Sequence, residues 1–241
     1  MNAGYREDLA YVHRAGFDDL AANASAPLIE ALRRAGLRDG TVVDLCCGGG
    51  PLSRRLADAG YEVFGVDISG AMVRMARERV PEGRFLEGSI LSTELPPCVA
   101  VAAVGECFNY LFDEGNTDEA LAGLLRRVHA ALAPGGVLLF DAAGPGRAGA
   151  RPRTHAVGED WAVLASHEED AEHRILTRRI TTFRKAGELY RRSEEVHRLR
   201  LVRRGSVAAR LRDLGFEVRP LDGYGGMRFP PGLAGFLATR R

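Results

Sequence analysis

Apolar positions recur at helical spacing at the start of the chain. Leu9, Val12 and Phe17 stand among charges between Tyr5 and Leu20, and Leu28, Ile29, Leu32 and Leu37 repeat the spacing. The pattern predicts two short amphipathic helices ahead of a first strand. From residue 41, short apolar runs and amphipathic stretches alternate. They predict strand Thr41–Leu45, a helix from Pro51, strand Tyr61–Val66, a helix from Ser69, a strand near Phe85, strand Val99–Val104, helix Thr117–Leu132 and strand Val137–Phe140. Strands separated by helices pair in parallel, with the helices covering both faces of the sheet. Local signals agree: Pro51 suits a first helical turn, Ser69 an N-cap, and Asn116 with Glu119 a variant capping box. Pro134, Gly135 and Gly136 stop the last of these helices.

After a Gly-, Pro- and Arg-rich crossing from Gly144 to Pro152 the pattern changes. Trp161–Ser166, Ile175–Arg184 and Leu189–Leu201 are strand-like, and Lys185, Ala186 and Gly187 supply a turn between the last two. This predicts an antiparallel insertion. Helix Ser206–Leu214, ended by Gly215, and strands Phe216–Pro220 and Leu233–Ala238 close the chain. The expectation is one α/β domain of 241 residues: a helical cap over 1–40, a core over 41–143, a β insertion over 150–203, and a closing helix with two strands over 204–241.

Composition narrows the setting only slightly. A formal charge of +1 gives no global pull toward nucleic acid or an acidic membrane. No run of eighteen apolar residues occurs, so no membrane-spanning helix is expected. The four cysteines, the neighbours Cys46 and Cys47 and the distant Cys98 and Cys107, resemble neither a disulfide framework nor a CxxC metal pair. They point to a reduced, cytoplasmic chain with no metal.

The strongest chemical feature is the stretch Val42, Val43, Asp44, Leu45, Cys46, Cys47, Gly48, Gly49, Gly50, Pro51, where a buried strand opens through glycines into a helix. A Cβ would keep a ligand off that backbone, and free N–H groups at the helix start favour a carboxylate or phosphate. About twenty residues on, the strand Val63–Val66 ends in Asp67, where doubly wound folds place a carboxylate for ribose hydroxyls. The other reading of Asp67 is a cap of the next helix.

Taken together with Gly88 and Ser89 after the third strand, Gly105 and Glu106 after the fourth, and Leu132, Ala133, Pro134, Gly135, Gly136 before the fifth, these segments resemble the class I S-adenosylmethionine-dependent methyltransferases. The resemblance covers roughly Thr41 to Asp141. It implies a Rossmann-like seven-stranded sheet with an antiparallel last strand, and it places the β insertion between strands five and six, as in the lid of small-molecule N- and O-methyltransferases. A nicotinamide-binding protein differs: its fingerprint wants a third glycine where Ser53 stands and does not call for Asp44.

The resemblance implies that S-adenosyl-L-methionine is the cofactor and S-adenosyl-L-homocysteine the product. Asp44, Cys46, Cys47, Gly48 and Gly50 would form the site for its methionine part. Asp67 would take the ribose hydroxyls, Ile68 and Met72 would flank the adenine, Ser89 and Ile90 would stand at its other edge, and Gly105 and Glu106 would complete the site. Cys46 stands where the family usually has glycine, and Ser89 where Asp is frequent.

Methyl transfer from a sulfonium needs positioning above all, and a base only where the acceptor must lose a proton. His13, Glu106, Tyr110 and His197 are the candidates for catalysis, His197 because Glu195 shares its strand face and could orient it. Asn109, Arg178, Tyr190 and Tyr224 are candidates for the acceptor. Each has a plain alternative: His13 structural, Glu106 a solvated loop charge, Tyr110 a packing residue, and the insertion's charges a solvated strand face. The expected acceptor is a small molecule methylated at N or O. An RNA methyltransferase, suggested by the arginines between Arg174 and Arg212, and a catalytically silent cofactor-binding scaffold are the competing readings. Monomer and homodimer are both compatible with the sequence.

Overall fold

A computed structural model describes residues 4–149 and 152–241. The predicted crossing loop therefore lies in part outside the described residues. Two helices, α1 (Glu7–Gly16) and α2 (Asp19–Arg34), precede β1 (Thr41–Leu45), α3 (Pro51–Asp58), β2 (Glu62–Asp67), α4 (Gly70–Arg79) and β3 (Arg84–Glu87). Then come β4 (Cys98–Ala103), α5 (Asp118–Ala131) and β5 (Leu132–Ala143). Strands β6 (Arg153–Val157), β7 (Trp161–Asp170), β8 (Ile175–Ala186) and β9 (Leu189–Arg200) form a separate antiparallel sheet. Helix α6 (Arg204–Asp213), β10 (Phe216–Leu221), a small hairpin of β11 (Gly223–Tyr224) and β12 (Met227–Arg228), and β13 (Leu233–Arg240) complete the chain.

The main sheet has the order β10-β13-β5-β4-β1-β2-β3. Strand β13 runs antiparallel to both neighbours, whereas β1 pairs in parallel with β2 and β4. Alternation along each strand feeds two cores. Val43 and Leu45 pack on the face covered by α5 and α6, and Val42 packs with Leu28, Leu32 and Leu52 on the opposite face. Because both faces are covered, β1 and β4 read as apolar runs rather than as alternating strands.

The four-stranded sheet docks on the carboxyl end of the main one. Leu176, Leu199 and Leu201 pack with Tyr110 and Ala143, and the Leu111 N–H donates to the Arg198 carbonyl at 2.8 Å. On its other flank Trp161 and Val163 pack against Val12 of α1.

Three local expectations are corrected. Helix α2 begins at Asp19 rather than near Leu28, because small residues such as Ala24 and Ser25 carry its buried face and leave no strong apolar signature. Helix α5 is capped by Thr117, whose hydroxyl accepts from the Ala120 N–H at 3.1 Å. The Asn116 amide turns back instead to the Phe108 and Tyr110 carbonyls. Strand β6 escaped notice because its side chains are almost all exposed; backbone pairing with β7 defines it.

Candidate functional site

The turn after β1 is built from backbone. Cys46, Gly48 and Gly50 all have left-handed φ, at 53°, 53° and 77°. The Cys47 N–H donates to the Val66 carbonyl at 3.0 Å, which ties the turn to the end of β2. A side chain at Gly50 would meet the Ala76 backbone at 3.3 Å, so this glycine lets α3 lie against α4. Gly48 and Gly49 have open space in front of them, with only Met72 and Met75 atoms at 4.0 and 3.5 Å.

Asp67 closes the turn from below. Its Oδ2 accepts from the Gly48 N–H and its Oδ1 from the Ser69 N–H, both at 2.9 Å. Burial pushes its carboxyl up to about 6 despite those bonds. Asp44, by contrast, points into the protein: its carboxylate accepts from Ser53 Oγ at 2.6 Å and braces the first turn of α3. Burial raises it to about 7.

A crevice opens above these residues, at the carboxyl ends of β1, β2 and β4, where open parallel sheets bind ligands. Gly48, Gly49, Asp67, Ile68 and Met72 form one side; Ile90, Leu91, Asp113 and Asn116 form the other. Gly105, Cys107 and Tyr110 make the wall, and Tyr5, His13 and Phe17 roof it. Among the described residues no lysine or arginine lines it.

Of the residues singled out from sequence, His13, Cys46, Cys47, Gly48, Asp67, Ile68, Met72, Ile90, Gly105 and Tyr110 line the crevice. Others do not. Gly50 lies behind the turn, and Ser89 is one layer back, its hydroxyl donating to Asp113. Glu106 is buried with left-handed φ of 64° and is gripped by Arg178 at 2.6 and 2.9 Å and by Arg147 at 2.6 Å. Burial opposes its charge, but the two arginines outweigh that and hold the carboxyl below its ordinary range. A carboxylate so neutralised is a poor base, and Arg178 so engaged is no free anion receptor.

His197 sits behind the aromatic wall, its ring centroid 5.0 Å from Tyr5 and 5.7 Å from Tyr110 and Phe112. Its Nε2 bonds Glu195 at 2.8 Å while Nδ1 is buried without a partner. Glu195 in turn accepts the Tyr5 and Arg6 N–H groups at 2.7 and 2.8 Å, so this pair latches the N-terminal segment over the crevice. Asn109 is consumed by structure: its Nδ2 donates to the Ala143 and Arg200 carbonyls and its Oδ1 accepts from the Ala143 N–H. Tyr224 is fully buried and donates to Asp141 at 3.1 Å, and Tyr190 stands exposed near the tip of the β8–β9 hairpin.

The cysteine reading is overturned. Cys46 and Cys107 form a disulfide, and Cys47 and Cys98 are the free thiols, both buried. Spacing along the chain could not show this, because parallel pairing of β1 with β4 is what brings residues 61 apart together.

Four crevice residues escaped the sequence reading. Tyr5 roofs the crevice, its carbonyl accepting from Ser69 Oγ at 2.7 Å and its hydroxyl lying 2.9 Å from that of Tyr110. Phe17 adds an apolar edge. Asp113 brings a carboxylate to the edge where Ser89 falls short, and Asn116 Oδ1 is buried with no partner. The Ser89 departure was the available signal, since an edge without its usual acid leaves room for another.

Comparison with known proteins agrees with this geometry. Residues 42–136 match the family model described as a methyltransferase domain. The chain is 37% identical over 120 residues to a trans-aconitate 2-methyltransferase of Paracidovorax citrulli (strain AAC00-1), covering 48% of this chain and 44% of that protein. It is 33% identical over 107 residues to a putative methyltransferase of Bacillus subtilis (strain 168), covering 42% of each. The chain thus spans under half the length of these curated relatives. Among solved structures it resembles an S-adenosylmethionine-dependent methyltransferase from Clostridium acetobutylicum, with TM-score 0.79, 19% identity and coverage of 96% and 97%. It also resembles an amino pentose methyltransferase from Micromonospora echinaspora solved with S-adenosylmethionine bound, with TM-score 0.74, 22% identity and coverage of 100% and 99%.

The fold is that of the class I S-adenosylmethionine-dependent methyltransferases, and residues 42–136 match a methyltransferase domain. S-adenosylmethionine is the cofactor of that class, and the residues here fit it. The open glycine backbone suits an amino-acid tail, the Asp67 carboxylate a pair of hydroxyls, and the orphan Asn116 Oδ1 an amino hydrogen.

Proposed function

We propose that this chain transfers a methyl group from S-adenosylmethionine to an amine of a small molecule. The observation that carries the choice of an amine is the crevice lining, which includes Tyr5, Phe17, Tyr110 and Phe112 and, among the described residues, no lysine or arginine. A carboxylate acceptor would be buried there without a cation, at a cost of several kcal/mol. An ammonium group meets the faces of Tyr5, Phe17 and Phe112 instead, which attract cations by about 0.5–2 kcal/mol each. The trans-aconitate enzymes among the relatives point to carboxylic acids, and the amino pentose methyltransferase among the structural neighbours to amines. The lining sides with the second.

The backbone from Cys46 to Gly49 would hold the amino-acid part of the cofactor, and Asp67 the ribose hydroxyls. Ile68, Met72 and Ile90 would sandwich the adenine, with Asp113 and Asn116 accepting from its amino group. The cofactor supplies an activated methyl on a sulfonium centre. An ammonium acceptor must first lose a proton to free its lone pair. His13 is placed to receive it: it lines the crevice, and burial lowers its pKa, so the imidazole is neutral near pH 7. Burial also raises the Tyr5 and Tyr110 phenols, so the pair stays protonated and orients the acceptor by hydrogen bonding.

Label transfer tests the reading. Incubated with methyl-labelled cofactor and separate pools of small amines, small carboxylic acids and RNA, the chain should label the amine pool. Label confined to carboxylic acids or RNA would reverse the substrate class, and cofactor binding with no label in any pool would make the chain a silent binding module.

A further inference from the structure

Cys46 occupies a left-handed position, φ 53°, that a glycine takes with ease and a residue with a side chain resists. Its side chain is not idle. Sγ is bonded to Cys107, in the turn that follows β4, with the Cα atoms 5.9 Å apart, inside the ordinary span for a disulfide. Both residues line the cofactor crevice. The bond therefore joins the turn that receives the amino-acid tail to the wall that carries Tyr110.

The two other cysteines do not compete for this bond. Cys47, next in sequence, turns the opposite way, its Sγ 3.1 Å from where a Gly65 side chain would start, and it is 4% exposed. Cys98 lies at the amino end of β4, its thiol against the Ala131 carbonyl at 3.6 Å. Burial raises both thiols, that of Cys98 to about 12, which leaves them unreactive.

We propose that Cys46 and Cys107 are a reversible redox site that sets the shape of the cofactor turn and is shielded when the cofactor is bound. This rests on the reading of the crevice as the cofactor site. In the forward direction the two thiols react with one low-molecular-weight disulfide. A thiolate of the pair attacks it and expels one thiol, and the second protein sulfur then displaces the other. One S–S bond breaks and one forms, two electrons pass to the small disulfide, and the two protons leave on the two small thiols. A dithiol drives the reverse.

Two consequences follow from geometry. The attacking thiolate must approach a protein sulfur along the S–S axis, and because Cys46 and Cys107 both line the crevice, a nucleoside seated there would stand in the way. Once the bond is cut, the turn keeps its backbone hydrogen bonds but the Cys46 side chain no longer anchors it to the wall after β4, and the turn loses part of its preorganisation for its ligand.

The test uses the full chain, oxidised with trans-4,5-dihydroxy-1,2-dithiane or reduced with dithiothreitol, and S-adenosylhomocysteine as the ligand. Alkylation after denaturation should mark two cysteines in the oxidised protein and four in the reduced, with peptide mapping joining Cys46 to Cys107. Saturating S-adenosylhomocysteine should slow reduction at least tenfold. Calorimetry should show three- to tenfold weaker binding to reduced protein, and Cys107→Ser should match the reduced value and ignore dithiothreitol. Four alkylated cysteines after oxidation would overturn the proposal, as would equal affinity in both states together with unshielded reduction. Absence of S-adenosylhomocysteine binding in either state would refute the cofactor reading and the shielding with it, while the alkylation count would still decide whether the bond forms.

Discussion

The crevice and the four-stranded sheet docked beside it are held together by different kinds of contact. In the crevice the backbone does most of the holding: three left-handed residues shape the turn, and Asp67 grips two N–H groups. Around the four-stranded sheet, side chains from distant segments meet. Arg178 of β8 reaches Glu106 after β4, Arg191 of β9 reaches Asp8 of α1, and Glu195 captures the backbone of Tyr5 and Arg6. A backbone-built site tolerates change in the surrounding side chains and keeps one ligand. A sheet docked through side chains can be rebuilt without touching the crevice, and one fold can so carry many functions.

The difference can be broken by mutation. The largest effect is expected from Glu106→Ala, which leaves Arg178 buried and unpaired. Loss of one partner of a buried pair costs about 3–5 kcal/mol, so thermal unfolding should fall by roughly 6–20 °C. S-adenosylhomocysteine affinity should stay within about threefold, because Glu106 does not line the crevice. Equal losses in stability and affinity would merge the two regions into one.

A crevice mutation should act the other way. In Asp113→Ala the adenine edge loses its carboxylate, and affinity for S-adenosylhomocysteine should drop by about tenfold, the value of one charged hydrogen bond. Melting should change little, since among the described residues the side chain bonds only the Ser89 hydroxyl and the Gly115 N–H. Unchanged calorimetric affinity would remove Asp113 from the adenine edge and leave Asn116 there.

His13→Asn sharpens the catalytic half. Turnover of an amine acceptor should fall by about tenfold or more, and the acid limb of the pH profile should disappear with it. Cofactor affinity should be unaltered; an intact pH profile would make His13 a packing residue.

A pH-dependent effect on stability concerns Asp44. Its folded carboxyl is raised from 3.8 to about 7 by burial. The folded chain therefore holds a proton that the unfolded chain has released, so this group's contribution is complete below about pH 4 and is lost as pH rises through about 7. Asp44→Asn removes that dependence. Between pH 5 and 8 the melting temperature of the wild type should fall relative to the variant by about 5–10 °C, corresponding to roughly 2.5 kcal/mol. Parallel melting curves across that range would mean that Asp44 is ionised throughout.

The same contrast explains what could be read in the chain. Strand β1 and the start of α3 were legible to the residue because burial on both faces and the Gly-Gly-Gly-Pro opening are local requirements. Asp67 was legible because its place at a strand end fixes its direction. The expected positions of Asn109 and Tyr224 in an acceptor site failed for a common reason: a polar side chain near a strand end can turn inward, and only tertiary neighbours decide; Tyr190 instead stands exposed near a hairpin tip. Asn109 is claimed by Ala143 and Arg200, and Tyr224 by Asp141. Tyr5 was invisible because nothing near it in sequence needs it; Ser69, Tyr110 and Glu195 do. The Cys46–Cys107 bond depended on a strand pairing that spacing alone does not give.

The most direct test of the account is a calorimetric titration of the oxidised chain and of Asp67→Ala with S-adenosylhomocysteine. The account expects one site per chain, with affinity about ten- to a hundredfold weaker in the variant, matching about 1.5–3 kcal/mol for hydrogen bonds to a charged group. No saturable heat with the wild type, or the same affinity in both proteins, would contradict it.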